Sequence, residues 1–211
     1  IYHSKDGECE KITDEYGKLT KTSSGLLLFN DETGAVYQIF GNSVTTLCNI
    51  EAQSTVIGIV DNDLYYLSSD GKSIIATNLI TGDNKEVLSI GNGYTTHQII
   101  NDNILYYSYY DNDTASIKIY DTTTDEQGEL YRISTNNTNE LIKIYFYEEY
   151  VFIGTEKGLF YMPYTNTDPI FLTEYSPSSG AFDYYNGKVY FTVEADAKAN
   201  LISVDVKTQE I

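Results

Sequence analysis

The chain has no tryptophan and contains only three prolines, two cysteines and two histidines among its 211 residues. Cys9, Cys48, His3 and His97 do not have the spacing of a zinc or redox motif. No apolar run approaches the 18 or so residues of a transmembrane helix, and the P-loop, dinucleotide, zinc-protease and serine-hydrolase motifs are missing. The sequence therefore predicts no catalytic residues, no metal ligands, no disulfide and no membrane insertion.

Positive charge is also scarce, because 13 Lys and Arg residues stand against 31 Asp and Glu residues, a formal net charge of -18. Binding to nucleic acid or to anionic membranes depends on clustered Lys and Arg residues, and here most of them are isolated. The charge therefore argues against both partners, and a solubilising acidic surface explains it.

The chain contains a repeated unit. Residues 102–125 read as a tyrosine-rich strand, a polar turn, a second strand and a Thr/Asp-rich turn, and the same layout recurs at 26–43, 63–83, 150–168 and 188–210. Such self-similarity at a fixed period is the signature of a repeat architecture. We expect one domain or partial domain over 1–211, with repeats near 14–50, 51–90, 91–134, 135–173 and 174–211 and a half repeat at 1–13.

The second strand of each repeat supplies a regular column of apolar and aromatic residues. The column contains Leu28, Tyr66, Tyr106, Phe152 and Tyr190, at spacings of 38, 40, 46 and 38 residues. Each repeat holds four short strands in about 40 residues, with no helical period, and this pattern is typical of the four-stranded antiparallel blades of a β-propeller. A sandwich of evenly spaced strands is the alternative fold.

About five blades fit in the chain, and the last repeat lacks its fourth strand. If the strand at 8–13 completed it, the ring would close with five blades. The segment 1–3 would then duplicate a strand already supplied near 201–206, so we expect a slice of a larger six- to eight-bladed ring and a longer parent chain.

Two segments of the third repeat resemble a known family. The stretch 103–108, NILYYS, followed by 117–121, IKIYD, resembles the YWTD-type repeat of the low-density-lipoprotein-receptor propellers and, more closely, their TolB-like bacterial surface relatives. Residues 188–192 and 63–68 match less fully. The resemblance implies a β-propeller on an extracellular or cell-surface protein, and no binding residues are carried over from it.

Most of the 21 tyrosines lie in predicted strands, where packing explains them. Tyr16, Tyr94 and Tyr175 instead fall in equivalent connections from the fourth strand of one repeat to the first of the next. Asp111 and Asp113, in a loop between second and third strands, are expected on the same face. Exposed tyrosine rings beside carboxylates suit glycans, peptides or proteins, so these five residues form the predicted ligand site.

Calcium is a weaker possibility, because 111–113 and 121–129 offer oxygen ligands without the spacing of an EF-hand loop. Three functions remain open. The first is a non-catalytic binding propeller, and the second is a propeller lyase or hydrolase using loop carboxylates, with His97 or Tyr94 as the first residues to test. The third is a structural spacer or assembly domain.

Overall fold

The computed structural model describes residues 1–5, 8–22, 25–111, 114–134, 142–147, 149–178, 181–195 and 198–211, without the side chains of 2–5, 8–10 and 195. This part of the chain contains 21 β-strands and no helix. The predicted all-β class is therefore confirmed, and the predicted strands recur with ends that differ by a few residues.

The strands form six sheets, and hydrogen-bonded neighbours are always consecutive in sequence. One two-stranded sheet comes first, four four-stranded sheets follow, and a three-stranded sheet ends the chain. In sequence order the strands are β1 (Tyr2–Lys5), β2 (Glu8–Lys11); β3 (Lys18–Thr22), β4 (Gly25–Phe29), β5 (Ala35–Phe40), β6 (Ser43–Asn49); β7 (Thr55–Val60), β8 (Asp63–Leu67), β9 (Ser73–Asn78), β10 (Asn84–Ser89); β11 (Gln98–Asn101), β12 (Ile104–Asp111), β13 (Thr114–Asp121), β14 (Gln127–Ser134); β15 (Lys143–Phe146), β16 (Tyr150–Thr155), β17 (Gly158–Pro163), β18 (Ile170–Thr173); and β19 (Phe182–Tyr185), β20 (Lys188–Ala195), β21 (Lys198–Asp205).

The described residues divide into two compact units, 1–106 with 120–127 and 107–119 with 128–211. In the first unit, Leu27 and Phe29 of β4 pack with Val56 of β7 and Leu64 of β8 in one core cluster. That core joins two successive sheets, because each sheet buries one apolar face against its neighbour.

The second unit has two core clusters, and alternate residues of β16 divide between them. Val151 and Ile153 belong to one cluster together with residues of β12 and β13. Phe152 belongs to the other, with Val189 and Phe191 of β20. Successive side chains of a strand point to opposite faces, so β16 is covered on both faces and carries a continuous apolar run.

Four turns share one set of hydrogen bonds. Each begins with an Asn or Asp whose Oδ1 accepts the backbone N–H groups two and three residues further on, namely Asn30, Asn78, Asp121 and Asp205. The fifth residue has positive φ and donates its N–H to the carbonyl oxygen of the first, and these residues are Gly34, Gly82, Asp125 and Gln209. Asn and Asp favour such turns because their side chains bond the local backbone, and this explains the Thr/Asp-rich repeat ends.

The hairpins that join first and second strands correct the predicted column. They close at Val60 with Asp63 and at Tyr185 with Lys188, and equivalent closures occur at Thr22 with Gly25 and Tyr147 with Tyr150. Counting from these closures, Leu27 and Tyr65, not Leu28 and Tyr66, are level with Phe152 and Tyr190. The predicted column was therefore wrong by one residue at two positions, and in a strand one residue exchanges the two faces.

Candidate functional site

We call one end of the sheets the loop face. It is formed by the turns between second and third strands and by the connections to the next sheet. In the first unit, Gln53 of a connection donates its N–H and its Nε2 group to the carbonyl oxygen of Asp31, at 3.1 and 2.8 Å. Lys72 Nζ donates to the carbonyl oxygen of Gly93 at 3.1 Å. Turns and connections therefore adjoin in this unit, as the predicted site requires.

The loop face of the second unit is built in the same way. Gly158, at the start of β17, has φ +123°, and a Cβ there would lie 2.1 Å from the carbonyl oxygen of Thr173. The turn between β16 and β17 thus packs directly on the connection that leaves β18. Only glycine tolerates both the backbone conformation and this close approach.

The predicted ligand-binding tyrosines are exposed. The exposed fractions are 56% for Tyr16, 58% for Tyr94 and 38% for Tyr175. The Tyr16 hydroxyl donates to Glu32 Oε2 at 2.8 Å, and this hydrogen bond raises the pKa of Tyr16. Tyr16 and Tyr94 belong to the first unit and Tyr175 to the second.

Of the two predicted carboxylates, the structure describes Asp111. Asp111 ends β12 in the second unit, where its backbone carbonyl accepts the Thr114 hydroxyl at 3.3 Å. Asp113 lies outside the described residues. Tyr16 has a side-chain carboxylate partner, Glu32, which the sequence did not single out.

The opposite end of the sheets, which we call the turn face, carries a cleft in each unit. In the second unit the cleft has a volume of about 430 Å³ and is lined by Glu149, Tyr150, Tyr184, Asn186, Gly187, Asp205, Val206 and Lys207. The Tyr184 hydroxyl donates to Glu149 Oε2 at 2.7 Å. Burial, and then this hydrogen bond, raise the pKa of Tyr184.

Aromatic rings support the cleft of the second unit. Tyr150 meets Tyr184 edge-on, with ring centroids 5.7 Å apart and planes at 86°, and it meets Tyr161 in the same manner. Phe152 contacts Tyr184 from below at 5.5 Å. Edge-to-face contacts of this kind fix ring orientation, so the Tyr184 hydroxyl has a defined position beside Glu149.

The cleft of the first unit has a volume of about 360 Å³ and a different charge arrangement. Its lining includes Tyr65, Lys85, Tyr120 and Asp125. Lys85 Nζ lies 3.0 and 2.9 Å from the two carboxylate oxygens of Asp125, and the Tyr120 hydroxyl donates to the same carboxylate. The hydrogen bond from Tyr120, followed by the one from Lys85, lowers the pKa of Asp125.

Neither cleft contains any member of the predicted ligand site, so sequence reasoning missed both. One signal was available at Glu149. The residues at the equivalent place before the second strand are Ser24, Asn62, Asn103 and Gly187. Asn and Gly are favoured in tight hairpin turns, whereas glutamate is not. A departure from local turn chemistry is where functional residues are expected.

Among the described residues, no group of three or more His, Cys, Asp or Glu side chains is arranged to hold a metal ion. In the segments considered for calcium, Asp121 is occupied by backbone N–H groups and Asp125 by Lys85 and Tyr120. Cys48 carries a free thiol, and burial raises its pKa. His97 is exposed, with Nδ1 3.1 Å from the Thr96 hydroxyl.

No protein-family model and no curated protein matches the sequence. Solved structures do match. A nidogen/laminin complex has a TM-score of 0.58 at 11% identity, over 91% of this chain and 76% of the other. An oligogalacturonate lyase in complex with manganese has a TM-score of 0.59 at 9% identity, over 92% and 70%. TolB from Acinetobacter baumannii has a TM-score of 0.51 at 12% identity, over 86% and 50%.

The chain has a β-propeller fold. Its four-stranded sheets are the blades, and this confirms the predicted fold class. The similar propellers include a protein in a complex with laminin and a lyase that binds manganese. At such low identity the likeness shows the fold alone, and a propeller fold serves both binding proteins and enzymes. No helix in the described part of the chain is long and apolar enough to cross a membrane.

Proposed function

We propose that the chain is a non-catalytic binding propeller that recognises a glycan, peptide or protein ligand through its loop face. The observation that carries the proposal is the exposure of Tyr16 and Tyr94, each more than half exposed, in equivalent connections of the first unit. Tyr175 occupies the equivalent connection in the second unit. A large amphipathic ring held at the surface supplies apolar contact area and a polar tip, and tyrosine is enriched at binding surfaces for that reason.

The structure supports the proposal in a second way, because the connections that carry these tyrosines are anchored. Lys72 ties the turn between β8 and β9 to Gly93, which directly precedes Tyr94. The turn at Gly158 packs on the connection that carries Tyr175, and a Cβ at Gly17, next to Tyr16, would lie 2.0 Å from the carbonyl oxygen of Phe29. Rings presented on fixed backbone lose less conformational freedom when a ligand binds, and this favours affinity.

The test is thermal melting of the chain against a glycan panel, peptide mixtures and calcium. A ligand at 100 times its dissociation constant should stabilise the protein by about 2.7 kcal/mol. We expect a saturable shift that is weakened in Tyr94→Ala and Tyr175→Ala. Tyr185→Ala is the matched control, because Tyr185 is 73% exposed but lies at the turn face.

A saturable shift that survives in both loop-face variants would contradict the proposal. Turnover of a substrate that is abolished by His97→Ala would favour the enzyme alternative instead. A cooperative melt that no compound moves would favour a spacer or assembly role. We further propose that the protein acts at the cell surface, and accessibility of the chain to antibody on intact cells tests that location.

A further inference from the structure

The turn face carries one type of side-chain pair in both units, a tyrosine hydroxyl bonded to a carboxylate beside a cleft. In the first unit the pair is Tyr120 with Asp125, and in the second it is Tyr184 with Glu149. The first pair has a third member, because Lys85 Nζ lies within 3.0 Å of both oxygens of Asp125.

The pair in the second unit has no such cation in the described part of the chain. Glu149 accepts the Tyr184 hydroxyl, and no ion pair with a lysine or arginine of the described residues forms there. The cleft beside it is open and has a volume of about 430 Å³. Its charged lining residues are Glu149, Asp205 and Lys207, so carboxylates outnumber cations.

We propose that this cleft binds an alkylammonium group, which takes on Glu149 the place that Lys85 Nζ takes on Asp125. The chemical class is a primary amine on an alkyl stem, supplied either by a small polyamine or by a lysine side chain of a peptide. Glu149 accepts the ammonium hydrogen bonds, and the ring of Tyr150 contacts the stem. The protein's own lysine in the first unit is the precedent for this geometry.

Three physical terms favour an ammonium over a neutral ligand. A charge-assisted hydrogen bond is shorter and about twice as strong as a neutral one. Tyrosine rings attract cations through their negative faces, and Tyr150 and Tyr184 both line the cleft. The net charge of -18 raises the local concentration of any cationic ligand around the protein.

The sequence at Glu149 agrees with a binding role. Equivalent positions carry Ser24, Asn62, Asn103 and Gly187. Asn and Gly suit the hairpin turn. A glutamate at this place does not stabilise the turn as Asn or Gly would. Residues that lower the stability of a protein are often found at functional positions.

The proposal is independent of the proposed function, because the cleft and the exposed Tyr175 lie at opposite ends of the sheets of the second unit. Isothermal titration calorimetry at physiological ionic strength tests it with three probes. These are 1,5-diaminopentane, N-α-acetyl-lysine amide and, as the neutral match, the same lysine amide acetylated on Nε. We expect one saturable site for an ammonium probe and none for the acetylated one.

Variants then locate the site. Glu149→Gln keeps an acceptor for Tyr184 and removes the charge, so affinity should fall by about tenfold or more. Glu149→Asn should do the same, and its better turn chemistry should offset part of the stability lost with the hydrogen bond from Tyr184. Glu156→Gln is the matched control, since Glu156 is an exposed carboxylate at the other end of β16, and it should bind as the wild type does.

Binding of the diamine alone would identify a polyamine site, and binding of both ammonium probes would identify a lysine-side-chain site. Either result supports the proposal if Glu149→Gln weakens it. The proposal fails if no ammonium probe saturates, if the acetylated probe binds equally well, or if Glu149→Gln and Glu156→Gln behave alike. Loss of loop-face binding in Tyr94→Ala or Tyr175→Ala has no bearing on these outcomes.

Discussion

The turn-face clefts of the two units share a tyrosine and a carboxylate but differ in what completes them. In the first unit Lys85 Nζ bonds both carboxylate oxygens of Asp125, and Asp63 and Asp83 also line that cleft. In the second unit Glu149 accepts the Tyr184 hydroxyl and, within the described part of the chain, no lysine or arginine, and an aromatic cluster supports the cleft. The same type of tyrosine–carboxylate pair therefore carries a bound lysine in the first unit and none from the described residues in the second.

Removing the aromatic ring that supports the second cleft should have the largest effect on the free energy of unfolding. Phe152 has no exposed surface and contacts Tyr147, Tyr150 and Tyr184. Phe152→Ala should therefore lower the free energy of unfolding by about 3–5 kcal/mol through lost burial and a cavity, as measured by urea denaturation. Phe40→Ala, at a residue 79% exposed, should change it by less than about 0.5 kcal/mol; equal losses would show that the cluster does not support this unit.

High pH should have the second-largest effect, a loss of stability of the aromatic cluster. Burial raises the pKa of Tyr145 to about 12, and burial with neighbouring carboxylates raises the pKa of Tyr147 and Tyr184. Since the folded pKa values exceed the ordinary value of 10.0, the stabilisation is complete below pH 10 and is lost as pH rises through the folded values. Circular dichroism with absorbance at 295 nm should show this loss above pH 10, and the double variant Tyr147→Phe, Tyr184→Phe should flatten it. An unchanged profile in the double variant would refute the assignment.

Removing the tyrosine hydroxyl from each pair compares the stability that the hydrogen bond contributes in the two units. Tyr120→Phe and Tyr184→Phe each delete a hydrogen bond to a carboxylate, and each should lower the free energy of unfolding by about 1 kcal/mol. The loss should be smaller at Tyr120, because Lys85 still satisfies Asp125. A larger loss at Tyr120 than at Tyr184 would mean that the lysine does not stabilise the first pair.

Deleting the lysine should have the smallest effect on stability. Lys85 and Asp125 are each 61% exposed, and exposed ion pairs contribute about 0–1 kcal/mol, so Lys85→Ala should cost no more than that at pH 7. The pKa of Asp125 is lowered in the folded protein, so its stabilisation is present above the ordinary pKa near 3.8 and is lost as pH falls through the folded value. Denaturation between pH 5 and pH 2 should show a shallower decline for Lys85→Ala than for the wild type; parallel declines would count against the ion pair.

The repeats made most of the fold predictable. The repeated layout, four short strands in about 40 residues and the lack of a helical period identified the four-strand blades, because these signals are local. The register of β8 could not be predicted from local signals. Tyr65 and Tyr66 are both aromatic and both buried, so composition could not show which of them lies on which face of β8. The residue pairs that close the hairpins in the structure identified the two faces.

The sites were harder to predict for a related reason. The exposure of Tyr16 and Tyr94 could be predicted, because both lie in connections between blades and such connections run over the protein surface. The pair of Tyr184 with Glu149 joins residues 35 apart on different blades, and in a chain with 31 acidic residues no single carboxylate stands out. Only the unusual residue at the turn preceding β16 pointed to it.

The most direct test of the comparison between the clefts counts ammonium sites by calorimetry with 1,5-diaminopentane. If a tyrosine–carboxylate pair that lies beside a turn-face cleft and has no lysine bound to it is an ammonium site, the wild type should bind one equivalent, Lys85→Ala two, Glu149→Gln none, and the double variant Lys85→Ala, Glu149→Gln one. The account is contradicted if Lys85→Ala still binds one equivalent, or if Glu149→Gln retains the site of the wild type.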